Sequence, residues 1–147
     1  DYIDVGSGIA PGGSISFVRV FDSFYGPGGG SSTTSATFVD MPNSSSIAFA
    51  KGYGSTVVKL ELWCSVRTNT VGTQVALAVQ INGTDYEVGR QYFDVANAHF
   101  MVGGFVSVSG LAAGNYNVRA RWRKIGGGGN LTIDDFDKAS LEAREAK

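Results

Sequence analysis

Between Val57 and Arg67 the chain alternates strictly. Val58, Leu60, Leu62, Cys64 and Val66 fall on one side, and Val57, Lys59, Glu61, Trp63, Ser65 and Arg67 on the other. A period of two sends successive side chains to opposite faces, so this run predicts a half-buried strand and not a helix. Val75, Leu77, Val79 and Ile81 repeat the pattern. Asn82-Gly83 then leads into Thr84–Val88, and Asn-Gly between two alternating runs predicts a type I′ hairpin, because both central residues tolerate positive φ. Phe100, Val102, Val106 and Val108 share one face of the next run, and Tyr116, Val118, Ala120 and Trp122 one face of the run after it. Leu131 and Ile133 mark a short strand. Ala139, Leu141 and Ala143 line a last one; residues 140–147 have helical propensity, but the period of two favours a strand.

Upstream the signals are shorter. Ile15–Phe21, Thr34–Val39 and Ile47–Phe49 read as strands, the last two separated by a Pro42-Asn43-Ser44 turn. Gly26–Ser32 and Gly126–Gly129 read as mobile loops, since glycine has no preference for one backbone shape. Residues 1–14 are Gly-rich with weak periodicity and read as an extended arm, ordered against a neighbour. About ten strands and no secure helix predict two packed sheets. The expected architecture is all-β: an antiparallel β-sandwich, jelly-roll-like, over residues 15–147, preceded by the arm.

Composition narrows the function. A chain of 147 residues fits one domain and can bury a real core. The net charge of −1 gives no electrostatic case for nucleic acid or an anionic membrane. Only 17% of residues are charged and 21 are glycine, which suits a turn-rich β protein whose surface is partly covered by other subunits. One cysteine, Cys64, permits neither an intramolecular disulfide nor a Cys-rich metal site. No run approaches the ~18–20 apolar residues that cross a bilayer, so membrane insertion is not expected. No signal peptide is visible, and a start at Asp1 without Met reads as a processed product or an excised piece.

Few residues carry chemistry. A Ser-His-Asp or Cys-His mechanism would have to use His99, the single histidine, but no motif frames a nucleophile, and His99 reads as a surface or interface residue. Asp134-Asp135-Phe136-Asp137 is an acidic cluster without the alternating acids, central Gly and final Glu of an EF-hand. It reads as a turn whose Asp side chains bond their own backbone. Gly28–Gly30 and Gly126–Gly129 lack the Lys-Ser/Thr step and helix of a phosphate loop. No metal, cofactor or catalytic residue is assigned, and an enzyme is not expected.

Binding surfaces are better represented. Arg119, Arg121 and Arg123 share one face of a strand and need answering charges. Either Glu61, Glu142 or Glu145 supplies them across strands, or a neighbouring subunit does. Met101 and Phe105 lie opposite Phe100, Val102 and Val106, and Ala76 and Ala78 lie opposite the Val75/Leu77/Val79 face. Apolar or small residues on both faces mean that a local loop or a second subunit covers the sheet. Tyr25, Tyr53 and Tyr92 stand beside Gly-rich or polar turns, where an exposed ring could stack on a sugar or a partner protein. Asn43-Ser44-Ser45, Asn82-Gly83-Thr84 and Asn130-Leu131-Thr132 fit the glycosylation triplet, which counts only in a protein secreted by a eukaryote.

Four segments together resemble the jelly-roll domains of bacteriophage virion proteins: Thr37-Phe38-Val39-Asp40-Met41-Pro42 through Gly54–Leu60; Val79-Gln80-Ile81-Asn82-Gly83-Thr84; Gly110–Val118; and Arg121-Trp122-Arg123. The resemblance covers residues 34–145, and Gly114-Asn115-Tyr116-Asn117-Val118 before the Arg-x-Trp strand is its best local piece. Such domains occur in tail fibres, tail tips, head fibres and capsid decoration proteins, and have no shared catalytic residues. The resemblance implies a non-enzymatic virion structural protein that acts by association with itself, as a homotrimer like related tumour-necrosis-factor-like and C1q-like sandwiches, and with other virion proteins. Host-surface glycan binding is a further implication. The alternative reading is a secreted or cell-surface carbohydrate-binding module or adhesin.

Overall fold

The computed structural model describes residues 19–44 and 46–146. The expected arm, residues 1–14, lies outside them, as does the beginning of the strand expected from Ile15. Every regular element among the described residues is a strand: β1 Arg19–Tyr25, β2 Ser31–Thr33, β3 Val39–Asp40, β4 Ile47–Lys51, β5 Val57–Thr68, β6 Gln74–Ile81, β7 Thr84–Tyr92, β8 Phe100–Val108, β9 Gly114–Gly126, β10 Leu131–Ile133 and β11 Lys138–Ala146. The C-terminal segment is therefore strand, as its period-two pattern required. Among the described residues no helix is long and apolar enough to cross a membrane.

The strands form two antiparallel sheets. In one, β5 is flanked by β8 on one side and by β11 and β10 on the other. Beyond these, β1 pairs with β11 and β2 with β10. In the other sheet the order is β7-β6-β9, with β3 and β4 sharing the far edge of β9. β1/β2 and β10/β11 each behave as one strand broken in the middle, and β3/β4 likewise. The sandwich thus has four positions in each sheet, filled from both halves of the chain, which is the jelly-roll arrangement. The inner faces meet in a core that includes Phe49, Leu60, Leu62, Leu77, Ile81, Phe93, Trp122, Leu131 and Leu141. Phe93 and Phe100 close one end of it edge to face, ring centroids 5.6 Å apart.

Local chemistry explains the joints. Asn82 and Gly83 have φ of 53° and 73°, the left-handed pair that a type I′ turn requires, and they join β6 to β7 as expected. Three expectations change. Ser31 and Ser32, read as loop, form β2, where Ser32 and Thr132 hydroxyls bond at 2.8 Å. The strand expected over Thr34–Val39 is reduced to β3. There the Thr33 hydroxyl accepts from Ser35 N, and Ser35 Oγ bonds the Thr37 carbonyl at 2.7 Å, so side chains claim the groups a ladder would need. The second Gly loop is packed, not free. A Cβ on Gly127 would lie 2.5 Å from Thr73 Cα, and one on Gly129 would lie 2.6 Å from Thr73 Oγ1.

Candidate functional site

The break in β1/β2 and the break in β10/β11 stand side by side. Gly26 N donates to the Asp137 carbonyl at 3.1 Å, and a Cβ on Gly26 would strike the Asp134 backbone. Asp134–Asp137 is the self-bonded turn expected of its sequence: Asp137 N bonds the Asp134 carbonyl, and Phe136 N the Asp134 carboxylate. The Asp137 side chain turns inward and is fully buried. It accepts from Ser65 Oγ at 2.6 Å, Asp134 N at 2.9 Å and His99 Nδ1 at 2.6 Å.

Sequence reasoning missed the His99–Asp137 contact, because 38 residues separate the two and neither has a motif. The three residue types of a catalytic triad are present, but Ser65 donates to the aspartate and not to the imidazole. The imidazole is therefore not placed as the general base of the hydroxyl, as a triad would have it. His99, Asp134 and Asp137 also bring ligand atoms within 4.8 Å of one another. Here too the oxygens are engaged: Asp137 by the three donors above, Asp134 by Phe136 N and by Arg67 Nε at 3.4 Å. A guanidinium at that distance works against a cation, and the hydrogen bonds of Asp137 tie the turn to β5 and to the segment before β8.

The arginine row is answered within the chain. Arg119 and Arg121 meet Asp40 on β3 at 3.3 and 2.9 Å. Arg121 also reaches Asp85 on β7 at 3.0 Å, and Arg123 reaches Glu87 at 3.7 Å. To do so the β9 arginines cross β6, whose residues at those registers are Ala78 and Ala76. Small side chains leave room for the guanidinium groups, and both alanines are fully covered as a result. Partial burial works against the Arg121 charge, but its hydrogen bonds to Asp40 and Asp85 outweigh that and raise the guanidinium above its ordinary value. The intramolecular partners expected from sequence were wrong. Glu142 pairs with Arg19 on the other sheet, Glu61 also lies on that sheet, and Glu145 is buried elsewhere.

The other sheet presents a different outer face. Met101 and Phe105 point outward from β8 and are 59% and 61% exposed. Among the described residues no loop covers them. Trp63 on β5 and Phe21 on β1 join them at 41% and 42%, and Lys59 Nζ lies 4.3 Å from the Phe105 ring centroid. Trp63 lies flat because its β8 partner is Gly103, where a Cβ would come within 2.8 Å of Trp63 Cδ2. Phe21, Trp63, Met101, Lys138, Ala139 and Ser140 line an open groove of about 260 Å³. Sequence alternation had already put Trp63 on the polar side of β5. A tryptophan among Lys, Glu, Ser and Arg was the available sign of a binding face.

Tyr25, Tyr53 and Tyr92 are exposed, at 51%, 39% and 53%. Tyr25 ends β1, within 6.0 Å of Lys138 Nζ. Tyr53 lies in the loop before β5, and Tyr92 ends β7 opposite the first residue of β6. The loop before β5 and the turn after it occupy opposite ends of the sandwich, so the three rings do not form one surface.

No family model and no curated protein matches the sequence. Solved structures do. The VP2 subviral particle of infectious bursal disease virus matches with a TM-score of 0.52 and 10% identity over 98% of this chain. The Gx strain of the same virus matches with a TM-score of 0.52 and 11% identity over 98% of this chain. The chain spans 36% and 37% of those two chains. At such identity the likeness is one of fold, a jelly-roll-like antiparallel β-sandwich.

Proposed function

We propose that this chain is a non-enzymatic virion structural protein that works by association, and that the outer face of the β8-β5-β11-β1 sheet is where a second copy of the chain docks. The observation that carries this is that Phe21, Trp63, Met101 and Phe105 are exposed together on one sheet face, whereas Val71, Val95 and Phe136 are exposed in the connections between strands. Isolated apolar residues are ordinary on a surface; a rimmed cluster of large ones marks an interface. A second copy suits the face because it carries both signs of charge. Lys59, Lys138 and Arg144 stand beside Glu61 and Glu142, so the same face turned about a two-fold or brought round a three-fold axis answers its own rim. The likeness to a protein solved as a subviral particle supports assembly in copies. Met101 and Phe105 are the contact residues. Arg119, Arg121 and Arg123, whose charges are met internally, are not needed for it.

The strand-and-turn resemblance favours a bacteriophage virion and three as the number of copies. The test is to purify virions from the source on a density gradient and probe intact particles with antibody to this chain. Labelling at a fixed position on every particle supports the proposal. A chain found only in soluble fractions overturns it.

A further inference from the structure

The opposite sheet carries a feature that self-association does not use. β9 begins at Gly114, but its partner β6 reaches only Ile81, opposite Val118. The first four residues of β9 therefore run past the end of β6, and the Asn82-Gly83 turn closes the step. On the other side of this overhang β4 places Ala48 opposite Asn117 and Ala50 opposite Asn115. The result is a two-part trough. Its polar half, about 420 Å³, is lined by Gln80, Asn82, Asn115, Asn117 and Arg119 together with Gly83 and Tyr116. Its smaller half, about 200 Å³, adjoins it through Asn115, Tyr116 and Asn117 and has Ala48, Phe49 and Ala50 along its other wall.

We propose that this trough binds a neutral glycan. Among the described residues the side-chain amides of Asn82, Asn115 and Asn117 make no hydrogen bond within the chain, although they converge on one cleft. Amides both donate and accept, as sugar hydroxyls do. No carboxylate lines either half, which disfavours a cation, and the one positive group, Arg119, is already engaged by Asp40. That leaves no net charge for a phosphate or an acidic sugar. The alanine wall suits the apolar C–H face of a pyranose while the amides meet its edge, the mixture of apolar lining and few polar groups that ligand sites use. None of Tyr25, Tyr53 and Tyr92 lines it.

The experiment displays the full chain on beads and probes it with an array of neutral hexose and N-acetylhexosamine oligosaccharides beside sialylated and sulfated ones. The best neutral compound is then titrated into the free chain. The expected result is retention of at least one neutral glycan, insensitive to salt between low and physiological ionic strength. Joint Asn115→Ala and Asn117→Ala substitution should weaken it roughly tenfold, by removal of two or more hydrogen bonds. Ala50→Phe should abolish it by filling the smaller half, and Tyr92→Ala should leave it unchanged. Unaltered thermal midpoints establish that each variant is folded. Capture of acidic glycans only, capture of none, or full binding by the Asn115/Asn117 variant overturns the proposal.

Discussion

Replacing Asp137 with alanine tests whether the broken strand is braced by the chain itself. The buried carboxylate accepts three hydrogen bonds, from Ser65, His99 and the Asp134 amide. Ser65 is half-buried and His99 exposed, so both can turn to water, and losing their bonds costs about 1 kcal/mol each. The Asp134 N–H is left facing the vacated site at a cost of roughly 1–3 kcal/mol. The sum is roughly 3–5 kcal/mol, a large part of the ~5–15 kcal/mol that holds a domain of this kind. With ~2–4 °C lost per kcal/mol at this chain length, the melting midpoint should fall by roughly 6–20 °C. Asp137→Asn keeps a carbonyl acceptor and should cost about half as much. Urea unfolding followed by tryptophan fluorescence, with the slope unchanged, measures this, with and without EDTA. A change within ~0.5 kcal/mol for Asp137→Ala would refute the reasoning. So would a wild-type protein that EDTA destabilises as much as the substitution does, since a bound cation would then be the brace.

Two further outcomes follow from buried groups. Burial pushes the Cys64 thiol, with the Asp137 charge adding to the effect, far above its ordinary value of 9.0. The thiol should react with an aromatic disulfide reagent only on unfolding. Its contribution to stability should be complete below pH 9 and be lost as pH rises beyond it, because the unfolded chain then ionises a thiol that the fold keeps neutral. Glu145, 2% exposed, accepts from Gly52 N and Tyr53 N at 2.9 Å each and from Thr56 Oγ1 at 2.5 Å, so it fixes the loop between β4 and β5. Glu145→Ala should cost about 3 kcal/mol in urea unfolding and raise hydrogen exchange at the Gly52 and Tyr53 amides first.

Most of the sandwich was legible because alternation over eight or more residues leaves a strand no other burial solution. β5, β6 and β9, the hairpin at Asn82-Gly83 and even β11, against its helical propensity, were readable on that basis. The interrupted edge was not. Ser31–Thr33 and Lys138–Ala146 are parts of strands that resume after a break, and the break is set by Gly26 meeting Asp134 across the sheet, a contact between distant residues. The arginine partners were missed for a related reason. Asp40, Asp85 and Glu87 become neighbours of β9 only once the strand order is known, although Ala76 and Ala78 already recorded the space the guanidinium groups occupy. Met101 and Phe105 were placed correctly on an outer face. Trp63 was placed on the outer side of β5 as well, but Phe21 joins it and Met101 in one groove only through the β5-β11-β1 pairing, which the sequence does not show.

Sedimentation velocity of the full chain, wild type against a joint Met101→Ser and Phe105→Ser variant, addresses the central claim most directly. Association through the outer face predicts a wild type that sediments as a multiple of the chain mass, three copies by the resemblance, and a variant that sediments as a folded monomer with an unchanged far-UV spectrum. A wild type that stays monomeric at high micromolar concentration, or a variant that assembles as the wild type does, would contradict it.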